Sequence, residues 1–363
     1  MTKTERITLP PDQDRRFLGL LTRDKQFYRT FFPLLAIITL QQLAALAVNM
    51  ADNIMLGTYT ELALSGATLV NQIQFTLQQI AAGLGRGIVV LGAQYWGQGR
   101  TEPIKKIIAI GVKLSIVIGL LFFLAAKLAP VGLLSLFTND QAVIAEGVRY
   151  LNVISWTYLV FVASNSLMYS LQSVETALVG TVMSLSTICI NVCLNYCFIY
   201  GNFGAPELGV VGAAVATLVS RIVELVIILV YVLCIDKKLK MKFRELLDFD
   251  KSYLGDYVRT STPMFLSGAL WGVAQAVQTA VLGHISATVI AANSIASVIF
   301  QIFAVVGMSS ANVASVTMGK TIGEGRLNMV RSYSKTMQAI FLIIGVTFGG
   351  MMFLFKDAIV GIY

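Results

Sequence analysis

A single histidine serves all 363 residues, and only 13% of the chain is charged. Acid–base and nucleophilic catalysis lean heavily on histidine, and no nucleophile–base–acid constellation accompanies His284. The chain therefore does not read as an enzyme. Cysteine is also scarce. Of the four, Cys189, Cys193 and Cys197 recur every fourth residue and climb one helix face over about 12 Å, too far to converge on one ion. Cys234 stands alone, and no disulfide framework is implied. Two Gly-x-Gly pairs, Gly97/Gly99 and Gly323/Gly325, follow long apolar runs and lack the strand and third glycine of a dinucleotide fingerprint. They read as turns. Soluble domains carry about 25% charged residues, so the low charge also argues against a soluble fold.

What the chain has in abundance is apolar sequence. It is 56% hydrophobic, with a mean hydropathy of +0.75. Nine apolar segments reach or approach the roughly 20 residues that a helix needs to cross hydrocarbon. They run over about Phe31–Leu56, Leu62–Trp96, Ile104–Leu136, Val148–Leu171, Leu178–Tyr200, Val210–Cys234, Pro263–Leu282, Val289–Met318 and Met337–Ile362. The first begins only at residue 31 and shows no small-residue cleavage site, so no signal peptide is expected. The expected fold class is an all-α polytopic membrane protein. The net charge of +8 fits this too. Lys and Arg gather in the amino-terminal arm and in the connections after the second, sixth and eighth segments, while the alternate connections hold almost none. This positive-inside bias places the amino terminus in the cytoplasm; the expected location is a plasma membrane, the inner membrane of a bacterium. Basicity then reports contact with membrane lipid rather than nucleic acid.

The apolar pattern repeats at a distance of 226 residues. Leu56-Gly57 recurs as Leu282-Gly283, Gly97-Gln98-Gly99-Arg100 as Gly323-Glu324-Gly325-Arg326, and Ile118-Gly119 as Ile344-Gly345. A repeat spaced by an even number of spans predicts two parallel lobes with a substrate site between them. The expected organisation is a basic arm over 1–29, a six-helix lobe over 30–235, an amphipathic linker over 236–251 and an incomplete lobe of three helices over 252–363. Within the linker, Phe243, Leu246, Leu247 and Phe249 predict a short helix on the inner leaflet.

Polar groups inside apolar segments ask for a reason, because a charge at the bilayer centre costs from about 2.5 kcal/mol upward. Asp52 lies in the outer third of the first segment, and Gln42, Asn49 and Asp52 share a face by their +7 and +3 spacing. Burial penalises the charged carboxylate, so such a group takes up a proton or a cation. In the fifth segment Asn191 and Asn195 form an i, i+4 pair extended by Ser184 and Thr187, on the side away from the cysteines. The fourth contributes Asn165, with Tyr158 and Tyr169 near it. Asparagines in membrane helices also serve as interhelical glue, but three beside one acid suggest a cation site. The second lobe offers amides without an acid: Trp271, Gln275 and Gln278 on the seventh segment and Asn293, Ser297 and Gln301 on the eighth. With Gln42, Asn49 and Gln78 these suit a roomy pocket for amphipathic molecules. Arg86, and Arg221 with Glu224 at i, i+3, read as structural or inner-gate groups.

The run Asn191-Val192-Cys193-Leu194-Asn195-Tyr196, then Ile199-Tyr200-Gly201-Asn202-Phe203-Gly204-Ala205-Pro206-Glu207-Leu208-Gly209 and Gly212-Ala213-Ala214-Val215-Ala216-Thr217, resembles the signature of the multidrug and toxic compound extrusion (MATE) family. Asp52 with Met55-Leu56-Gly57, and Ala93-Gln94-Tyr95-Trp96-Gly97-Gln98-Gly99-Arg100, are similar to that family's first and second helices. The resemblance implies two six-helix bundles alternating between inward- and outward-open forms, with about nine of the usual twelve helices present here. It implies export of organic cations or amphipathic drugs in exchange for Na⁺ or H⁺, by a monomeric protein without a cofactor. It places a cation site at Asp52, Asn165, Asn191 and Asn195. Asn195 stands where some relatives carry aspartate, and Trp271-Gly272 stands where Na⁺-coupled members carry a glutamate. Two other readings stay open: a lipid-linked precursor flippase of the same superfamily, and a non-transporting truncated membrane protein.

Overall fold

The structure, a computed structural model, describes residues 21–283 and 287–354, with the side chains of 283–299 and 352 outside that description. His284, Asn293 and Ser297, and the end of the ninth apolar segment, therefore lie outside the described groups. The described chain is helical throughout. Its elements are α1 (Lys25–Tyr59), α2 (Glu61–Gly97), α3 (Thr101–Leu128), α4 (Pro130–Ser135), α5 (Gln141–Ile154), α6 (Trp156–Ser173), α7 (Leu178–Tyr200), α8 (Val210–Val230), α9 (Phe243–Leu247), α10 (Lys251–Gly283), α11 (Ala287–Gly323) and α12 (Leu327–Leu354).

Short capping residues divide this apolar sequence into helices. Asp24 opens α1 by accepting from the Gln26 amide at 2.9 Å. Thr60 both ends α1 and opens α2, its hydroxyl accepting from the Ala63 amide at 3.0 Å, so one residue suffices to reverse the chain. Gly99 and Gly325, with φ of 70° and 72°, take left-handed conformations just past α2 and α11, where glycine bears no Cβ penalty. The two Gly-x-Gly pairs are turns.

Two predicted segments break where a single span was expected. The third ends at Leu128 because Pro130 cannot continue a helix and instead starts the short α4. The fourth begins earlier, at Gln141 under the Asp140 cap, and bends by 49° at Ser155 between α5 and α6. Of the nine expected spans, the described residues support most. Seven described helices are long and apolar enough to cross a membrane, or eight if α5 and α6 form one bent span. The remaining long helix, α2, is rich in amides because it packs on α3, α5, α6, α10 and α11 rather than facing lipid.

The repeat is visible as a contact. Gly97 and Gly323 are separated by 226 residues, and each packs against the other's helix. A Cβ on Gly97 would overlap the Lys320 carbonyl oxygen, and one on Gly323 would overlap the Gln94 carbonyl oxygen. Gln94 and Lys320 are themselves 226 apart, so the contact is reciprocal, as at a two-fold axis. Away from this point the pseudo-symmetry fails. On the α2–α10 seam Gly83 packs against the backbone of Met264 and Phe265, and Gly268 and Gly272 against Gln79 and Thr76. The equivalent positions on the α1–α11 side are Ser309, Gln42 and Leu46, none of them glycine. That seam is lined instead by Phe27, Phe31 and Ile38 of α1 and Val313 and Val316 of α11, with Tyr333 and Met337 of α12 in the same cluster.

The connection after α8 crosses to α9, which docks on α3 through Leu246 and through Lys105 on Glu245 at 3.1 Å. Phe243, Leu247 and Phe249 remain exposed, as an interfacial helix requires.

Because glycine lets backbones touch on the α2–α10 and α2–α11 seams, Gly268→Ala and Gly323→Ala are each expected to cost about 1–3 kcal/mol through overpacking. Gly345→Ala, with nothing within 4 Å of the added methyl, is expected to be neutral or stabilising. Thermal unfolding of the three purified variants checks this ranking.

Candidate functional site

The buried stripe of α1 runs through Gln41, Ala44, Val48, Asp52 and Leu56, at spacings of three and four. It therefore turns Asp52 inward against α7 and α8, leaving it 6% exposed. The stripe of α7 is Thr187, Asn191, Asn195 and Ile199, and both asparagines are fully buried. The stripe of α8 is made of small residues, Ala213, Ala216 and Ser220, with Thr217 among them. Small residues let these helices come close enough for short polar side chains to meet.

The three stripes join in one hydrogen-bonded cluster. Asn195 Nδ2 donates to Asp52 Oδ1 and, at 3.1 Å, to Asn191 Oδ1. Asn191 Nδ2 donates to Thr217 Oγ1 at 3.2 Å, and Thr217 Oγ1 donates to Asp52 Oδ2 at 3.3 Å. Both carboxylate oxygens are thus engaged, yet only by neutral donors. Asn195 Oδ1 is buried and has no hydrogen-bond partner, which is a costly state for a strong acceptor. The electrostatic neighbours of Asp52 include Tyr150 and Arg221. Arg221 is already taken: its Nη1 lies 2.7 Å from Glu224 Oε2, the i, i+3 pair expected from the sequence. Ser164 Oγ holds the other Glu224 oxygen at 3.3 Å. Among the described residues Asp52 has no ion-pair partner of its own.

Towards the carboxy-terminal ends of α1 and α7 lie aromatic hydroxyls. Tyr200 donates to the Met55 carbonyl at 2.9 Å, and Tyr59 donates to Glu207 at 3.1 Å. A buried carboxylate with neutral oxygens beside it, one of them unpaired, can accept a proton or hold a small monovalent cation.

Asn165 is buried on α6, but it makes no hydrogen bond to this cluster and its amide nitrogen has no partner. Of the residues expected around a pocket, Gln42, Gln78 and Gln275 are half-buried, and Asn49, Trp271 and Gln278 are exposed. None is sequestered as Asp52 is. Asn49 sits about 60° round the helix from Asp52, so the two do not share the buried stripe. The glutamine that does share it is Gln41, with its amide on the Met168 sulfur. Sequence reasoning missed Gln41 and Thr217. The signal for Gln41 was present in the 41/44/48/52 spacing of α1, whereas Thr217 shares its small-residue face with Ser220 and does not stand out from the sequence. The cysteines behave as expected, with Cys189 and Cys193 exposed on the side of α7 away from the asparagines.

Similarity to known proteins covers the whole of this arrangement. The family model described as MatE matches residues 38–197 and 263–363. A probable multidrug resistance protein NorM of Listeria monocytogenes serotype 4b (strain F2365) is 25% identical over 343 residues, spanning 93% of this chain and 74% of that protein. A protein of the same description from Thermotoga maritima is 31% identical over 183 residues, or 48% of this chain and 38% of its own length. Among solved structures, a multidrug resistance MATE family transporter in an outward-facing conformation has a TM-score of 0.81 at 20% identity, over 93% of this chain and 76% of that one. A MOP superfamily transporter from Pyrococcus furiosus has a TM-score of 0.79 at 20% identity, over 93% and 75%.

Thr217 is both donor to Asp52 and acceptor for Asn191, so Thr217→Val leaves two buried polar groups unsatisfied and is expected to cost about 1–3 kcal/mol. Thr217→Ser keeps the hydroxyl and is expected to retain most of that stability. Thermal denaturation separates the two, and equal losses would mean that the methyl, not the hydroxyl, matters.

Proposed function

The chain belongs to the MatE family of membrane transporters, and from that premise we propose that it is a multidrug antiporter exporting organic cations or amphipathic compounds in exchange for Na⁺ or H⁺. The observation that carries the reading is the Asp52 cluster: a carboxylate 6% exposed, bound to α7 and α8 only through neutral groups, beside the unpartnered Asn195 Oδ1. Names given to the relatives, probable multidrug resistance proteins, support the substrate class.

In the proposed cycle a cation from outside settles between Asp52, Asn191, Asn195 and Thr217, with Asn165 one helix away on α6. It competes with the amide and hydroxyl donors for the carboxylate, so α1 changes how it rests on α7 and α8. Drug affinity at the interlobe surface of Gln42, Asn49, Gln78, Trp271, Gln275 and Gln278 falls as a result. Coupling exists only if cation and drug favour different conformations. Magnitudes limit the exchange. A 100 mV potential is worth about 2.3 kcal/mol per charge, but it cancels when one monovalent ion replaces one monovalent drug. A tenfold ion gradient then supports about a tenfold drug gradient, roughly 1.4 kcal/mol.

The same reading takes the lobes as 30–235 and 252–363 joined by the linker at 236–251, nine of twelve family spans, a cytoplasmic amino terminus and a monomer. A flippase for lipid-linked precursors is less well supported, because the candidate phosphate ligands are engaged. Arg221 pairs with Glu224, and Arg86 Nε donates to the Ala82 carbonyl at 3.2 Å.

Asp52→Asn keeps the shape and removes the charge. In proteoliposomes it is expected to abolish efflux of a cationic dye driven by an imposed Na⁺ or H⁺ gradient, with unfolding temperature changed little. Undiminished gradient-driven efflux would contradict the mechanism, and lipid translocation without dye efflux in the unaltered chain would favour the flippase.

A further inference from the structure

The end of the molecule that carries Gly97 and Gly323 contains a groove of about 780 Å³ that the transport cycle does not use. Its walls come from the first turns of α1, the α6–α7 turn, the start of α7 and the segment following α8. One wall is apolar, formed by Pro33, Leu34, Ile37, Leu178, Val179 and Ile235. Leu178 and Ile235 are 62% and 56% exposed, so this wall opens to the side rather than into a protein core.

The other wall is basic, with Arg29, Lys237, Lys238 and Lys320 against two acids, Glu175 and Asp236. The acids are already committed. Glu175 Oε2 lies 2.7 Å from Lys320 Nζ. Asp236 is buried and accepts the backbone amides of Lys238 and Leu239 at 3.3 and 2.8 Å. Lys238 Nζ donates to the carbonyls of Val174 and Glu175 at 2.6 and 3.2 Å and sits 5.5 Å from the centre of the Trp96 ring. Partial burial lowers the Lys238 ammonium from its ordinary range, as expected of a cation held by neutral groups. Arg29 and Lys237 are exposed and have no ion-pair or hydrogen-bond partner among the described residues.

Unneutralised cations beside a sideways-open apolar wall are complementary to a molecule with an anionic head and a hydrocarbon tail. We propose that this groove is a binding site for an anionic phospholipid of the inner leaflet, with the phosphate on Arg29 and Lys237 and an acyl chain along Leu34, Ile37, Leu178 and Ile235. The site rests on the inner-side assignment from positive charge and not on the cation cluster. It joins α1 to the segment after α8 and borders Lys320 of α11. Lipid bound there braces the inner end of the first lobe against α11.

The test uses the purified full chain in phosphatidylcholine nanodiscs titrated with phosphatidylglycerol. Thermal unfolding is followed, and lipids retained after release from the disc are counted by native mass spectrometry. The unaltered chain is expected to show saturable, phosphatidylglycerol-dependent stabilisation and a retained phosphatidylglycerol. Arg29→Gln with Lys237→Gln, both exposed, is expected to unfold normally in phosphatidylcholine alone yet need about tenfold more phosphatidylglycerol for the same effect. Lys240→Gln with Lys251→Gln removes equal charge outside the groove and is expected to change little. Equal phosphatidylglycerol response in the Arg29/Lys237 variant would overturn the proposal, as would equal loss in the control variant. Full protection by soluble glycerol phosphate would show a free-anion site instead of a lipid site.

Discussion

The carboxylate of Asp52 is held where water is excluded, and three helices depend on how its charge is met. Asn195 and Asn191 on α7 and Thr217 on α8 supply neutral hydrogen bonds. The nearest guanidinium, on Arg221, is occupied by Glu224. Neutral donors soften the cost of a buried negative charge without removing it. A group in that state responds to a proton or a metal cation with a rearrangement of its donors. Because the donors sit on separate helices, the rearrangement is also a change in helix packing. In the proposed antiport cycle, that coupling of donors to helix packing is what would link binding of an ion to movement of a lobe.

The interfaces that α1 and α2 make with α10 and α11 differ in kind. Glycine contacts bring α2 into backbone contact with α10 and with the end of α11. The α1–α11 seam is filled by large side chains, several of them aromatic, and lacks the equivalent glycines. Backbone-on-backbone seams are rigid, since no rotamer can absorb a shift, whereas a seam of side chains can repack. The helix that bears Asp52 therefore rests on the more adaptable of the two equivalent interfaces. A lipid seated between the first turns of α1 and the segment after α8 would bear on the same helix from its inner end.

Much of this was legible in the sequence because membrane proteins display their constraints openly. Long apolar runs marked most of the helices, and the 226-residue repeat paired Gly97 with Gly323 as equivalents, though not as a contact. Asp52, Asn191 and Asn195 stood out because polarity is costly among such neighbours. What the sequence hid depends on which face of each helix is buried. Gln42 rather than Gln41 looked like the partner of Asp52, and a single threonine on α8 gave no signal until three helices were placed together. Pro130 and Ser155 split runs that hydropathy alone joins, because window averages do not register backbone geometry. The amides of α2 lowered its hydropathy for the opposite reason, since its surroundings are protein. Asn165 matched a polar pattern but lies outside the hydrogen-bonded cluster.

The account stands or falls on whether the Asp52 carboxyl is a reversible seat for a cation. Infrared difference spectroscopy of the reconstituted protein reads that group directly when Na⁺ is added or pH is lowered, with the Asp52→Asn protein subtracted to assign the bands. The account predicts carboxyl bands that shift with Na⁺, with acid or with both, saturably and only when Asp52 is present. Carboxylate bands indifferent to both ions across the range in which the protein stays folded would contradict it.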